Sequence, residues 1–358
     1  MIKKIWEYEI PEHITRFTSF DRNLIVVSSK FRKGDKYYQT ISSHDPEYRK
    51  IRWEKEIIIS DDSQCEFLIS NGELFCIFDK YFAQIDPVSG GVTFEYDLGS
   101  TAGSVIISYE DIIVLTTIDG NIYKYDITKR TCLKAACLSS IFHWAVRSGD
   151  LIYALSRQER RLWGANLRSK YMIQMIDLKN FSVKRFLNVG KRPVGLWPLD
   201  LDKDLTVEVN GNIKRFGLDS REKWCYSTNT NKGQLSFVQC HGKYGDCVLF
   251  SRGCRLFLLN LENGEDRWTG NLSGSISSAI LLENNMVIFS TAGGNLAKMM
   301  YGVIPENYIG IYTPKTNVEK KIRTISEIRI DLQKANNKII AHYGFENGSK
   351  FLGFCISL

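Results

Sequence analysis

Apolar and polar residues alternate in short runs along the whole chain, and the runs come in pairs. Residues 255–272, RLFLLNLENGEDRWTGNL, read as a strand over 256–261, a turn over Glu262-Asn263-Gly264 and a second strand holding Trp268. Short apolar runs parted by a glycine-containing turn signal a β-hairpin. Residues 81–98, YFAQIDPVSGGVTFEYDL, have the same form, and the pattern returns over 121–138, 171–189 and 212–228, with a weaker copy at 308–322. Helical periodicity is weak throughout, its best candidate being a short piece over 297–301. The pattern therefore predicts an all-β protein.

Spacing turns the hairpins into an architecture. The residues closing the first strand of each pair are Ser42, Asp86, Asp126, Asp177, Gly217, Asn260, Thr313 and Ser357, which lie 40 to 53 positions apart. A strand-only repeat of about 40–50 residues is the signature of a β-propeller blade. Eight markers predict eight four-stranded blades, or seven if the degenerate first, seventh and last copies are not all blades. The ends of the chain bear on closure. Residues 3–10, KKIWEYEI, resemble 50–57, KIRWEKEI, an outer strand, but no inner strands precede them. The C-terminal blade, 326–358, supplies three strands and no outer one. Strand 3–10 is expected to complete that blade, making residues 1–358 a single propeller domain without exposed sheet edges.

Three blades are longer than the rest, and the excess, at 30–36, 156–170 and 291–307, falls between the second and third strands each time. These connections are expected to be loops on one face, together with the links between blades. Insertions on a rigid repeat scaffold collect on its binding face. That face carries basic and aromatic residues: Lys30, Phe31, Arg32 and Lys33 in blade one, and Arg157, Arg160, Arg161, Trp163 and Arg168 in blade four. Lys191, Arg192 and Lys232 in other connections join them as candidate partner-binding residues. Arg and Trp are over-represented at binding hot spots because Arg pairs bidentately and Trp buries a large area. The plainer alternative for the 156–170 run is a solvated charged loop.

The unit of strand, Ile/Tyr-Asp, turn, Gly and strand with Trp has its best copies at Ile85-Asp86-Pro87-Val88-Ser89-Gly90 and at Leu259-Asn260-Leu261-Glu262-Asn263-Gly264 with Trp268. It resembles the repeat of the quinoprotein-like (PQQ-type) β-propeller family, in degenerate form over most of the chain. The resemblance implies an eight-bladed propeller. It does not imply quinone chemistry, because dehydrogenases of that family are exported and use an adjacent-cysteine disulfide, and no Cys-Cys pair occurs here. The Trp-Asp and Gly-His marks of WD-repeat blades are absent as well.

Composition changes this picture little. Of 358 residues 44% are hydrophobic and 24% charged, and the net charge of +7 biases the chain only mildly towards acidic partners. The start of the chain lacks a signal-peptide core and no stretch approaches the roughly 20 apolar residues of a membrane span, so a cytoplasmic protein is expected. Nine cysteines, an odd number scattered over strands, suit small core residues in a reducing compartment. Asp200, Asp202 and Asp204 imitate the start of a calcium loop, but position six is Leu205, and a solvated acidic turn is the expected reading. Cys240, His241, Cys247 and Cys254 lack the Cys-x2–4-Cys spacing of zinc sites and are read as core and strand-end residues. No phosphate loop, serine elbow or HExxH is present. The expectation is thus a non-enzymatic protein-binding propeller, without cofactor or metal, monomeric apart from its partner. A bacterial immunity or adaptor protein facing an acidic surface is one such setting. The alternatives are a hydrolase or lyase using a central channel mouth and a nucleic-acid-binding propeller, for which the charge is weak.

Overall fold

The computed structural model describes residues 2–60, 65–138, 141–162, 165–190, 195–198, 204–209, 211–228, 238–282, 285–291, 307–325, 330–335, 338–345 and 348–356. All regular structure among them is β. The expected helical piece at 297–301 lies outside the described residues.

The strands form eight antiparallel sheets, each built from consecutive strands as in a meander. Seven have four strands: residues 66–97, 102–137, 141–190, 195–227, 238–271, 276–325, and 330–356 joined by the N-terminal strand. The sheet of residues 14–59 has a fifth, short strand, Phe31–Lys33. This is the blade pattern of an eight-bladed β-propeller, and the count is eight rather than seven. Second strands such as Ile112–Thr117 are Ile, Val, Leu and Thr throughout and almost wholly buried, as a strand covered on both faces must be.

The expected latch is present. Ile2–Ile10 pairs antiparallel with the C-terminal strand Gly348–Ile356, from Ile2 opposite Ile356 to Ile10 opposite Ser349, with one irregularity between Lys4 and Trp6. Trp6 stands opposite Gly353, where the indole occupies the space a Cβ would need. The Lys350 ammonium lies 2.6 Å from Glu7 Oε1 and 2.5 Å from Glu9 Oε1, so the first and last strands are held by charge as well as by the ladder. Those two carboxylates raise the Lys350 pKa above its ordinary value.

By contact density the chain forms two compact units, one of 1–19, 46–50 and 224–358, the other of 20–45 and 51–223. In each, the apolar cores lie between consecutive sheets rather than within them. In the second unit Phe75, Phe82, Tyr123 and Tyr125 fill one such layer, and Tyr153, Ile173, Leu205 and Val207 another. In the first unit, Leu249, Leu258, Phe289 and Tyr312 do the same. Alternate residues of each strand thus serve alternate cores.

Two predicted connections are not loops. The blade-four insertion continues its flanking strands: Leu151–Leu162 and Ala165–Asp177 stay paired from Leu151 opposite Asp177 to Leu162 opposite Ala165, with one bulge between Gln158 and Arg160. In blade one, Phe31–Lys33 pairs with the start of Lys36–Asp45, Lys33 opposite Lys36, with the turn at Gly34 in the left-handed region (φ 60°). Both segments are rich in charged residues, which reads as loop. Backbone polarity decides otherwise, since a chain leaving a paired strand satisfies its N–H and C=O groups most simply by continuing the ladder. The third insertion is described only at its ends, residues 292–306 lying outside the described residues.

Candidate functional site

Each ribbon is the inner hairpin of its blade carried beyond the body of the sheet. Comparable hairpins turn early: Phe78 opposite Tyr81 in blade two, Arg252 opposite Arg255 in blade six. From Arg157 to Leu162 the blade-four ribbon runs six residues further, about 20 Å at the rise of a strand. Arg157 is half-buried at its base. Arg160, Arg161 and Arg168 lie on its two arms, Arg160 opposite Leu167 and Arg161 opposite Asn166. Trp163, Lys191, Arg192 and Lys232 lie outside the described residues.

The blade-one ribbon is described to its tip. Phe31 stacks on Tyr38 across the two arms, ring centroids 5.9 Å apart. The Lys33 ammonium lies 5.3 Å from the Phe31 centroid and 5.6 Å from that of Tyr38, a cation held against two aromatic rings. Its charge is already matched, since it donates to Glu56 Oε1 at 2.5 Å. Arg32 donates from Nε to the Gly34 carbonyl at 2.9 Å and stands 3.8 Å from Asp35. Lys30 reaches the Ser60 carbonyl at 3.5 Å. The expected basic patch is therefore an aromatic clip with internally paired charges.

Other candidates resolve into structural roles. Asp204 is not part of a solvated acidic turn: its side chain is 3% exposed and takes Arg215 at 2.5 Å and Lys223 at 2.7 Å. Asp200 and Asp202 lie outside the described residues. His241 accepts the Ala279 N–H on Nδ1 at 3.2 Å and meets Ser251 Oγ with Nε2 at 2.7 Å. The ring is thus held neutral, Nε2–H donating, and burial pulls its pKa down to about 4. Burial pushes the neighbouring Cys240 thiol up to about 12. No group of three or more metal-ligating side chains forms among the described residues.

The sequence repeat acquires a physical meaning here that pattern alone did not supply. The Trp53 indole of blade one donates from Nε1 to the Pro87 carbonyl at 2.8 Å, in the turn of blade two. Trp224 of blade five donates in the same way to the Leu261 carbonyl of blade six at 3.0 Å. Each ring lies against the turn glycine, Gly90 (φ 74°) or Gly264 (φ 75°), where a Cβ would come within 2.7 or 2.6 Å of the ring. The turns are built alike. Asp86 Oδ1 accepts the Val88 N–H at 2.9 Å, and Asn260 Oδ1 accepts the Glu262 N–H at 2.8 Å. The spacing from each Trp to the glycine one blade later was the available signal.

No family model matches the chain, and no curated protein does. Solved structures do. The computationally designed Ika8 protein superposes with a TM-score of 0.64 over 96% of each chain at 11% identity. BamB from Moraxella catarrhalis superposes with a TM-score of 0.58 over 99% of this chain and 100% of its own at 12% identity. At that identity the likeness is one of fold, and it covers nearly the full length.

Proposed function

We propose that this chain is a non-enzymatic binding propeller that engages a partner protein through its two second-to-third-strand ribbons. The observation that carries the reading is the blade-four ribbon, paired to Leu162 opposite Ala165 although it runs further than the comparable hairpins among the described residues. A ladder fixes the backbone in advance, so a partner does not have to order it on binding. Its arms carry Arg157, Arg160, Arg161 and Arg168, residues suited to carboxylate-bearing surfaces. The aromatic clip of Phe31, Tyr38 and Lys33 offers a second, preorganised contact of mixed character. The setting proposed is cytoplasmic, with the protein acting as an immunity or adaptor protein that covers an acidic surface. Its repeats are read as a degenerate form of the PQQ type, used without cofactor.

The test is binding to the product of the adjacent gene, measured by calorimetry. R160A, R161A and W163A together are expected to weaken the complex at least tenfold. Removing residues 159–168 and closing the ribbon with Asn-Gly should abolish it while leaving the thermal transition in place. Unchanged affinity in both variants would remove the ribbons from the account.

A further inference from the structure

The Trp-to-glycine docking seen at Trp53 and Trp224 fails at Trp268, and the failure leaves a groove. By position in the repeat, Trp268 of blade six should donate to the carbonyl of Pro314 and lie on residue 317 of blade seven. That residue is Asn317, in the left-handed region (φ 53°) but with a side chain where Gly90 and Gly264 have none. The turn also closes differently. Gly264 N–H bonds to the Asn260 carbonyl, four residues back, whereas Asn317 N–H bonds to Pro314 itself at 3.4 Å. Tyr312 engages this turn instead. Its hydroxyl donates to Asn317 Oδ1 at 2.9 Å, and its ring lies over Gly270, where no Cβ would fit. Trp268 tilts against Tyr312 with centroids 5.8 Å apart, and its indole N–H has no acceptor among the described residues.

The space beside it is a cavity of about 530 Å³, within one compact unit. Its floor is apolar, formed by the buried Cys247, Leu258, Leu281 and Leu282. Its rim is cationic. Arg267 is paired with Asp246, but Lys315 and Lys334 are exposed and have no carboxylate partner among the described residues. The rim comes from turns that join first to second and third to fourth strands and from the strand ends beside them, so it opens on the opposite edge of these sheets from second-to-third connections.

We propose that this groove is a docking site for an acidic peptide segment of a partner protein, which inserts one large apolar side chain beside Trp268. Volume and floor suit a side chain the size of Phe or Leu. The two unmatched ammonium groups select flanking carboxylates, and the free indole N–H is a donor for a carboxylate or backbone carbonyl of the segment. The inference rests on the reading of this chain as a protein-binding module, but not on the ribbons.

Titration of protein carrying 15N-labelled indoles with the peptide acetyl-Glu-Asp-Phe-Asp-Glu-amide tests it. The Trp268 signal, identified by its loss in W268F, should shift saturably while those of Trp53 and Trp224 stay in place. K315E with K334E should raise the dissociation constant at least tenfold. N317G, which clears the place where the indole docks in the other blades, should also weaken binding. No shift at millimolar peptide would overturn the proposal, as would equal shifts with Ser in place of Phe or Lys in place of the acids. The ribbon-shortened protein should titrate like the parent, so this test and that of the ribbons fail separately.

Discussion

The Trp53 indole lies against Gly90, so close that a Cβ there would come within 2.7 Å of the ring, while its N–H reaches the Pro87 carbonyl at 2.8 Å. One side chain thus fixes both the position and the conformation of a turn in the following sheet. G90A should therefore lose stability twice over, from a positive φ that alanine resists and from the clash with the ring. The expected cost is about 2–4 kcal/mol, read from the urea midpoint. G72A, with a similar φ of 77° and open space around it, should cost only about 1 kcal/mol. Equal losses in the two variants would mean that the indole yields freely.

Removing residues 1–10 should leave the strand Gly348–Ile356 as an unpaired edge, with Gly353 uncovered and Lys350 deprived of Glu7 and Glu9. Such an edge invites pairing with other chains. The truncated protein is expected to melt earlier and to self-associate by light scattering. Adding the peptide of residues 2–10 should restore the monomer by strand addition. A monomeric truncated protein with an unchanged transition would show that the latch is dispensable.

Asp204 is a buried carboxylate between Arg215, 5% exposed, and Lys223, 42% exposed. D204N removes the anion and leaves the buried guanidinium facing an amide, at an expected cost of about 3–5 kcal/mol. K223M removes the partner that water already solvates, and should cost less than about 1 kcal/mol. Denaturant unfolding compares the two, and the ordering of the losses is the prediction.

His44 and His241 both have pKa values pulled down to about 4 by burial. The unfolded chain takes up these protons near pH 6.5, the folded chain only near pH 4. Between those values the unfolded state binds more protons, so stability is full above about pH 6.5 and falls as pH drops to 4. Each ring contributes up to about 3 kcal/mol to that loss. In H241Q the fall of the urea midpoint between pH 6.5 and 4.5 should be shallower than in the parent. A slope identical to the parent's would remove His241 from the acid response.

The sheets and their number were legible because strand, turn and outer strand recur with a marker such as Asp86 or Asn260 that the turn needs. The latch was legible for a related reason, since residues 3–10 are an outer strand without inner ones. The ribbons were misread as loops. Charge density distinguishes exposed from buried chain but not paired from unpaired. Asp204 was misread because its partners, Arg215 and Lys223, come from later strands that only the folded sheet brings beside it. The groove at Trp268 was hidden for the opposite reason. There the repeat is intact on the Trp side and broken at Asn317, a single position whose importance appears only when the intact docks are seen.

The parity of the blade-four hairpin sets how its reach can vary. In a two-stranded ladder, one residue added to one arm turns every outward side chain beyond it to the other face, whereas one residue added to each arm keeps the faces and moves the tip outward by about 3.4 Å. The irregularity between Gln158 and Arg160 adds a residue to the returning arm only, Arg168 and Ser169 there standing against Glu159, and so interrupts the regular pairing between a segment continuous with the blade and a distal one. Paired additions beyond that joint therefore change the length of the ribbon without disturbing the packing beneath it.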